Sequence, residues 1–280
     1  MITLVAPSTW YAVRYPRPPD GADRVWGTAP QSAPDPARGG HPIIDGITIR
    51  QLAGRVWLSP GDPDPANVQA AVAVVADDRG SVVVDAGHSP GHARAVQTAM
   101  RAAGLPPARW LVYTHHHWDH VWGGCAWPDV EIVGQVTGRE LLRQEAARPW
   151  SHRYLRDQVR ENPRLGPSFR ARALAMDDWA DFTVLPPTRT FTDELTLPTG
   201  VRLRHVGGGH APDSTVVYVP DARVALLGDC FYPPPAHLRG PDDGPDLAMM
   251  RDLLDDDYEW YVDSHGEPVT LAQARQLVSA

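Results

Sequence analysis

The chain has 280 residues, 42% hydrophobic and 21% charged, which is enough apolar material for a sizeable core and too little charge for a disordered chain. Its 26 basic side chains are all arginine and face 34 acidic ones, and the net charge of −8 argues against nucleic acid or an anionic membrane as the general partner. Two cysteines cannot staple a scaffold, no run nears the roughly 20 apolar residues of a membrane span, and the opening lacks a secretory signal pattern, so a cytoplasmic protein is expected.

Residues 1–45 are rich in Pro, Gly and Asp (YPRPPDGADRVWG, SAPDPARGGHP) and read as an irregular arm, to which Trp10, Tyr11, Tyr15 and Trp26 give some packing surface. IRQLAGRVWLS enters the body as an edge strand. QAAVAVVADD and GSVVVDAG, divided by a DDRG turn, form a hairpin. After Asp85, GHSPGHARAVQTAMRAAG is a loop and a helix of about eleven residues that stops at Gly104 and the Pro106-Pro107 pair. ARWLVYT is a buried strand, EIVG another, and VTGRELLRQEAAR a helix.

Residues 145–190 read mainly as helix and loop. TVLPPT, ELTLPTGVRLRHVGG, STVVYVP and RVALLGD then give four strands. DLAMMRDLLDDDYEWY is a helix, WYVDSHG a last strand and loop, and TLAQARQLVSA a closing helix. Two strand-rich halves that each carry helices, with no GxGxxG after an early strand, fit a two-sheet α/β sandwich. Residues 1–280 are read as one domain, with 1–45 as the arm and 145–190 as a helical insert over the active-site cleft.

THHHWDH follows the apolar strand WLVY and places His115, His117, Asp119 and His120 together. On an extended stretch His115 and His117 point the same way and can share one ion. A turn into helix after them brings Asp119 and His120 to a second point nearby. Imidazole and carboxylate suit zinc, and less exclusively manganese or iron. Three more candidates close or follow later strands: His210 in HVGGGHAPDS, Asp229 in VALLGD and His265 in WYVDSH. Seven ligand candidates are enough for two ions. Cys230 neighbours Asp229, and adjacent side chains on an extended strand point to opposite faces, so Asp229 is preferred.

With its HxHxDH signature at His115–His120 and an opening strand-end aspartate at Asp85, the chain resembles the metallo-β-lactamase-fold superfamily of metal-dependent hydrolases over residues 50–280. The resemblance implies a four-layer αββα sandwich. It implies that His115, His117 and His210 hold one metal, that Asp119, His120 and His265 hold the other, and that Asp229 bridges them. Asp85 would orient the histidine loop from behind. The implied chemistry is that of a dinuclear zinc hydrolase, with two ions per chain about 3.5–4 Å apart activating water as hydroxide against a β-lactam, lactone, ester or thioester. Asp119 would orient the nucleophile and shuttle its proton, and Tyr232, three residues after Asp229, would line the entrance or donate to an oxyanion.

Two other readings stay open at this point. One is a non-catalytic metal-bearing scaffold that binds a partner through residues 145–190; the other is a sulfur dioxygenase with a single iron in the same outer motif. Between residues 139 and 172 nine arginines stand against four acidic residues, a local +5, with Trp150, Tyr154, Phe169 and Trp179 nearby. Arginine grips carboxylate with two parallel bonds, so the segment could present a small anionic substrate with its charge partner. Residues 242–263 carry nine acidic groups and one arginine, so the two regions could instead pair across a homodimer.

Overall fold

A computed structural model describes residues 47–279, and the arm expected over 1–45 lies outside the described residues. The first sheet follows chain order: β1 (Arg50–Ala53), β2 (Val56–Ser59), β3 (Val72–Val75), β4 (Ser81–Val84), β5 (Ala108–Val112), β6 (Glu131–Gln135) and β7 (Arg189–Phe191). The strands from β1 to β4 meander antiparallel, and β4 to β7 run parallel. The second sheet contains β8 (Glu194–Thr196), β9 (Arg202–His205), β10 (Thr215–Val219), β11 (Val224–Gly228), β12 (Trp260–Asp263) and β13 (Val269–Thr270), ordered β13-β12-β11-β10-β9-β8. Only β11 and β12 pair parallel there.

Strand alternation builds the layers. Val82 and Val84 of β4, with Val224 and Leu226 of β11, face the space between the sheets, where Leu58, Val112, Leu203, Val217 and Val262 complete a dry core. The intervening Val83 turns outward and packs under α1 (Pro90–Ala102), whose Ala93, Val96 and Met100 are buried. On the far side Ala225 and Leu227 turn outward against Met250 and Leu253 of α6 (Leu247–Leu253) and Ala274 of α7 (Leu271–Leu277). The result is the expected αββα sandwich. No helix among the described residues is long and apolar enough to cross a membrane.

Several elements differ from the sequence expectation. IRQLAGRVWLS is a hairpin rather than one edge strand, because Gly54 at φ +47° turns the chain between β1 and β2. ELTLPTGVRLRHVGG divides at Gly200 (φ +82°) into β8 and β9. TVLPPT forms no strand: Pro186 and Pro187 lack ladder donors, and pairing starts at Arg189. The helix expected across 246–261 stops at Leu253, where α6 gives way to an acidic turn.

The segment after β6 carries α3 (Val136–Ala146), α4 (His152–Glu161) and α5 (Gly166–Ala175) on the outer face of the first sheet. Its anchor is Trp122. The rings of Trp150 and Phe182 lie 4.9 Å from it and that of Trp179 5.6 Å, near-perpendicular or tilted. Arg164, between α4 and α5, reaches the loop after β11 and donates to the carbonyl oxygens of Arg239 and Ala236.

Candidate metal centre

Parallel strands deliver the site. Asp85 follows β4, the histidine segment follows β5, Asp229 follows β11 and His265 follows β12, while His210 sits in the loop between β9 and β10. After His117 the chain turns into α2 (Trp118–Val121), which brings Asp119 and His120 round to the same pole as His115 and His117. Gly228, at φ +57°, makes the bend before Asp229; a Cβ there would stand 2.8 Å from the Thr114 Cβ.

All seven ligand candidates converge, in two groups. In the first, the His115 Nε2 and His210 Nε2 atoms each lie 2.9 Å from His117 Nδ1. The second holds Asp119, His120, Asp229 and His265. There the Asp119 Oδ2 atom is 3.3 Å from both His120 Nε2 and His265 Nε2. Asp229 Oδ2 joins the groups: it is 3.2 Å from His265 Nε2 and 3.5 Å from both His120 Nε2 and His210 Nε2.

The outward-facing ring nitrogens are held by other groups. His120 Nδ1 meets Asp85 Oδ2 at 2.7 Å, His115 Nδ1 meets the Thr114 hydroxyl at 3.1 Å, and His210 Nδ1 meets the Pro233 carbonyl at 3.0 Å. Each contact leaves the Nε2 atom aimed inward, and donation from Nδ1 to the carboxylate or carbonyl leaves an Nε2 lone pair for a cation. Asp85 also accepts from the Thr114 backbone N–H and hydroxyl. Its backbone sits at φ +64°, a left-handed conformation that few non-glycine residues adopt, and this carboxylate network accompanies it.

The electrostatics fit divalent cations. Burial, followed by the neighbouring imidazoles, holds His115 and His117 well below the ordinary histidine range, so both stay neutral; burial also lowers His210. In the second group burial opposes charging, yet Asp119, Asp85 and Asp229 hold His120 well above its usual range. His265 is pushed up to about 10, against burial, by Asp229 and Asp119. Asp119 and Asp229 stay ionised far below the usual carboxylate range through those same histidines, which outweigh burial. Two carboxylates thus gather protons that a dication would replace. His120 Nε2 and Asp229 Oδ1 are buried without a hydrogen-bond partner, as donors aimed at a metal would be.

Cys230 belongs to neither group. It is buried behind the second sheet beside Leu227 and Phe231, and burial, then Asp229, push its thiol far up. The Tyr232 ring lies 6.4 Å from that of His210 and 6.1 Å from that of His265, and its hydroxyl donates to Asp263 Oδ1 at 3.1 Å.

Three contributors lay outside the sequence reading. Asp213 contacts His116 Nδ1 at 2.7 Å, and Gly138 gives the carboxylate room, since a Cβ there would fall 2.3 Å from its Oδ2. His92 stands 3.1 Å from His88, Nδ1 to Nδ1, beside the Asp85 loop. Arg172 of α5 lies beside Trp118, between two ligand candidates in sequence. Asp213 and His92 give no signal in the sequence. Arg172 does: it is three residues from the buried Phe169, on the inward face of a helix.

The sequence profile of the Metallo-beta-lactamase superfamily matches residues 66–274. The linear primary-alkylsulfatase of Pseudomonas sp. is 28% identical over 179 residues, which cover 55% of this chain and 32% of the relative; the chain spans about a third of that relative's length. Solved structures share the fold. The metallo-beta-lactamase from Hirschia baltica superposes with a TM-score of 0.58 at 16% identity, covering 83% of this chain and 96% of its own. That from Erythrobacter litoralis gives 0.57 at 17% identity over 84% and 96%. FIM-1 from Pseudomonas aeruginosa, in a mono-zinc form, gives 0.56 at 16% identity over 83% and 95%.

Proposed function

The chain belongs to the Metallo-beta-lactamase superfamily and carries the paired metal clusters of a dinuclear zinc hydrolase, and we propose that its substrate is a small organic anion bearing an ester-like bond. The observation that carries the reading is the single Asp229 oxygen set between two complete donor groups. A single-iron enzyme or a metal-bearing scaffold has no need of the second group intact.

When bound, two divalent ions supply Lewis acidity and make water nucleophilic near neutral pH. The residues then divide the work. His115, His117 and His210 would hold one ion as neutral donors, Asp119, His120 and His265 would hold the second, and Asp229 has an oxygen within reach of both groups. Asp85 fixes the His120 ring. Asp119, at a carboxylate oxygen, orients the attacking water and receives its proton. Tyr232 lines the site between His210 and His265, and on turning from Asp263 its hydroxyl would serve the oxygen on which charge develops.

The alkylsulfatase relative adds a sulfate ester to the β-lactam, lactone, carboxylic ester and thioester bonds that this chemistry covers. Metal analysis joined to turnover of nitrocefin, an acyl lactone, an aryl ester, an acyl thioester and a primary alkyl sulfate tests the proposal. We expect two zinc ions per chain and metal-dependent turnover of at least one anionic member. A zinc-replete protein that turns over none of the five would defeat it.

A further inference from the structure

Arg172 is a cation with no anion. Among the described residues it makes no ion pair and no hydrogen bond, and its Nε atom is buried without a partner. Its guanidinium carbon lies 4.5 Å from the centre of the Phe169 ring and 5.5 Å from the ring centres of Trp118, Trp122 and Trp150. Burial lowers its pKa to about 10, which leaves it charged at neutral pH. The carboxylate with the largest influence on it, Glu145, is paired with Arg148 at 2.9 Å. Asp119 of the candidate metal centre is the next carboxylate whose charge acts on it, with no ion pair between them.

The surroundings are basic. Arg164 is exposed and spends its guanidinium on the backbone carbonyls of Arg239 and Ala236. His237, between those two residues, is lowered first by burial and then by the positive charges of Arg172 and Arg164. Aromatic faces compensate a buried cation only partly; an oxyanion completes it, because the planar guanidinium offers parallel N–H donors that match two oxygens. The side chain remains partly open to solvent, so such a group can reach it.

We propose that Arg172 recognises the charged end of the substrate, a carboxylate or sulfate borne on an alkyl or aryl chain, with the half-buried Trp150 beside it receiving the chain. Trp118, which Arg172 covers, belongs to the helix that carries Asp119 and His120, and the Asp119 charge acts on Arg172, so an anionic group held there would be on the metal side of the insert and off the ions. This deepens the anionic-hydrolase reading by naming the residue that selects the anion.

Tryptophan fluorescence supplies a readout separate from turnover, because three indoles surround the guanidinium. Hexanoate and its neutral counterpart hexanamide are titrated into metal-replete and metal-depleted protein, wild type and Arg172→Gln. The expected result is a hexanoate Kd raised about tenfold or more by the substitution in both metal states, with hexanamide weak and unchanged. Equal hexanoate binding in the two proteins overturns the proposal. So does an Arg172 dependence that vanishes when metals are removed, since the anion would then sit on the ions. Should Arg172→Gln fail to fold by its melting curve, Arg172→Met fills the aromatic pocket without the charge, and the same two results decide. Sodium sulfate in place of hexanoate separates headgroup recognition from the chain contribution: it should compete with hexanoate in wild type, and failure to compete overturns the Arg172 contact. A protein that binds hexanoate through Arg172 yet hydrolyses nothing in the panel refutes the hydrolase reading and leaves this one standing.

Discussion

Asp85 Oδ2 lies 2.7 Å from His120 Nδ1, on the side of the imidazole away from its metal-facing nitrogen. Asp85→Asn should therefore keep the fold but weaken the second metal by about 10–100-fold, the usual cost of losing a carboxylate behind a ligating histidine. Zinc content after dialysis against a graded chelator series measures it. Retention equal to wild type would separate Asp85 from metal holding.

Asp229 and Cys230 are neighbours with different fates. Asp229→Ala removes the oxygen shared by both groups and should reduce metal-dependent turnover about hundredfold or more. Cys230→Ser places a hydroxyl in an apolar pocket and should cost about 1–3 kcal/mol of stability while both metals stay. Metal analysis and melting curves on the pair check this. A serine variant short of one metal would reverse the assignment.

Loading the second group should release protons. Without metal, His265 titrates near 10 and His120 stays well above its ordinary range, so both carry protons at pH 7.5. His115 and His117 sit far below and carry none. Zinc binding at pH 7.5 should therefore release about two protons in total. Calorimetry in buffers of different ionisation enthalpy counts them, and His265→Asn should lower the count to about one.

Acid should destabilise the metal-free chain through its buried neutral histidines, His88 and His92 together with His115, His117 and His210. Burial lowers His88 to about 4 and His92 to about 3, whereas the unfolded chain takes up these protons near 6.5. Below about 6.5 the unfolded state binds more protons, so stability falls as pH falls, by up to about 1.4 kcal/mol per pH unit for each ring. His120 and His265, raised in the folded chain, oppose this slope near pH 6.5 and add little of their own toward pH 4.5. Urea melts of metal-depleted protein between pH 6 and 4.5 should be shallower in pH dependence for His92→Gln; a parallel curve would contradict the account.

The outer arginines of α4 should matter little. Arg153 and Arg160 are 86% and 77% exposed and both lean on Asp157. Replacing Arg153, Arg156 or Arg160 by glutamine should change stability by no more than about 0.5 kcal/mol and leave anion preference intact. Kinetics on an aryl ester with a remote carboxylate and on its methyl ester, at two salt concentrations, provide the check.

The metal centre was legible because its chemistry is local. Four of its residues fall within six positions, Asp229 and His265 follow apolar strands that pair parallel, and His210 sits in the glycine-rich loop between β9 and β10. The two-layer core followed from strand alternation, as at Val82, Val83 and Val84. Turns inside apolar runs were harder to see: Gly54 and Gly200 each split one expected strand into a hairpin, since a left-handed φ is invisible until pairing partners are known. Asp213 was out of reach, being far from His116 in sequence and joined to it only by the fold. The local +5 of the insert drew attention to solvated arginines, whereas the enclosed Arg172 is marked by its helical spacing from Phe169.

Each donor group draws on both halves of the sandwich. His115 and His117 come from the first sheet and His210 from the second; Asp119 and His120 come from the first, Asp229 and His265 from the second. Ions seated there work as two rivets across the seam between the sheets. Chelation would thus loosen the joint at one pole while the valine-rich interior still holds the opposite end, and amide exchange should quicken first in the loops after β5, β9, β11 and β12. Heat tolerance should then depend partly on the metal supply, and the chain stripped of metal should become hinged before it becomes unfolded.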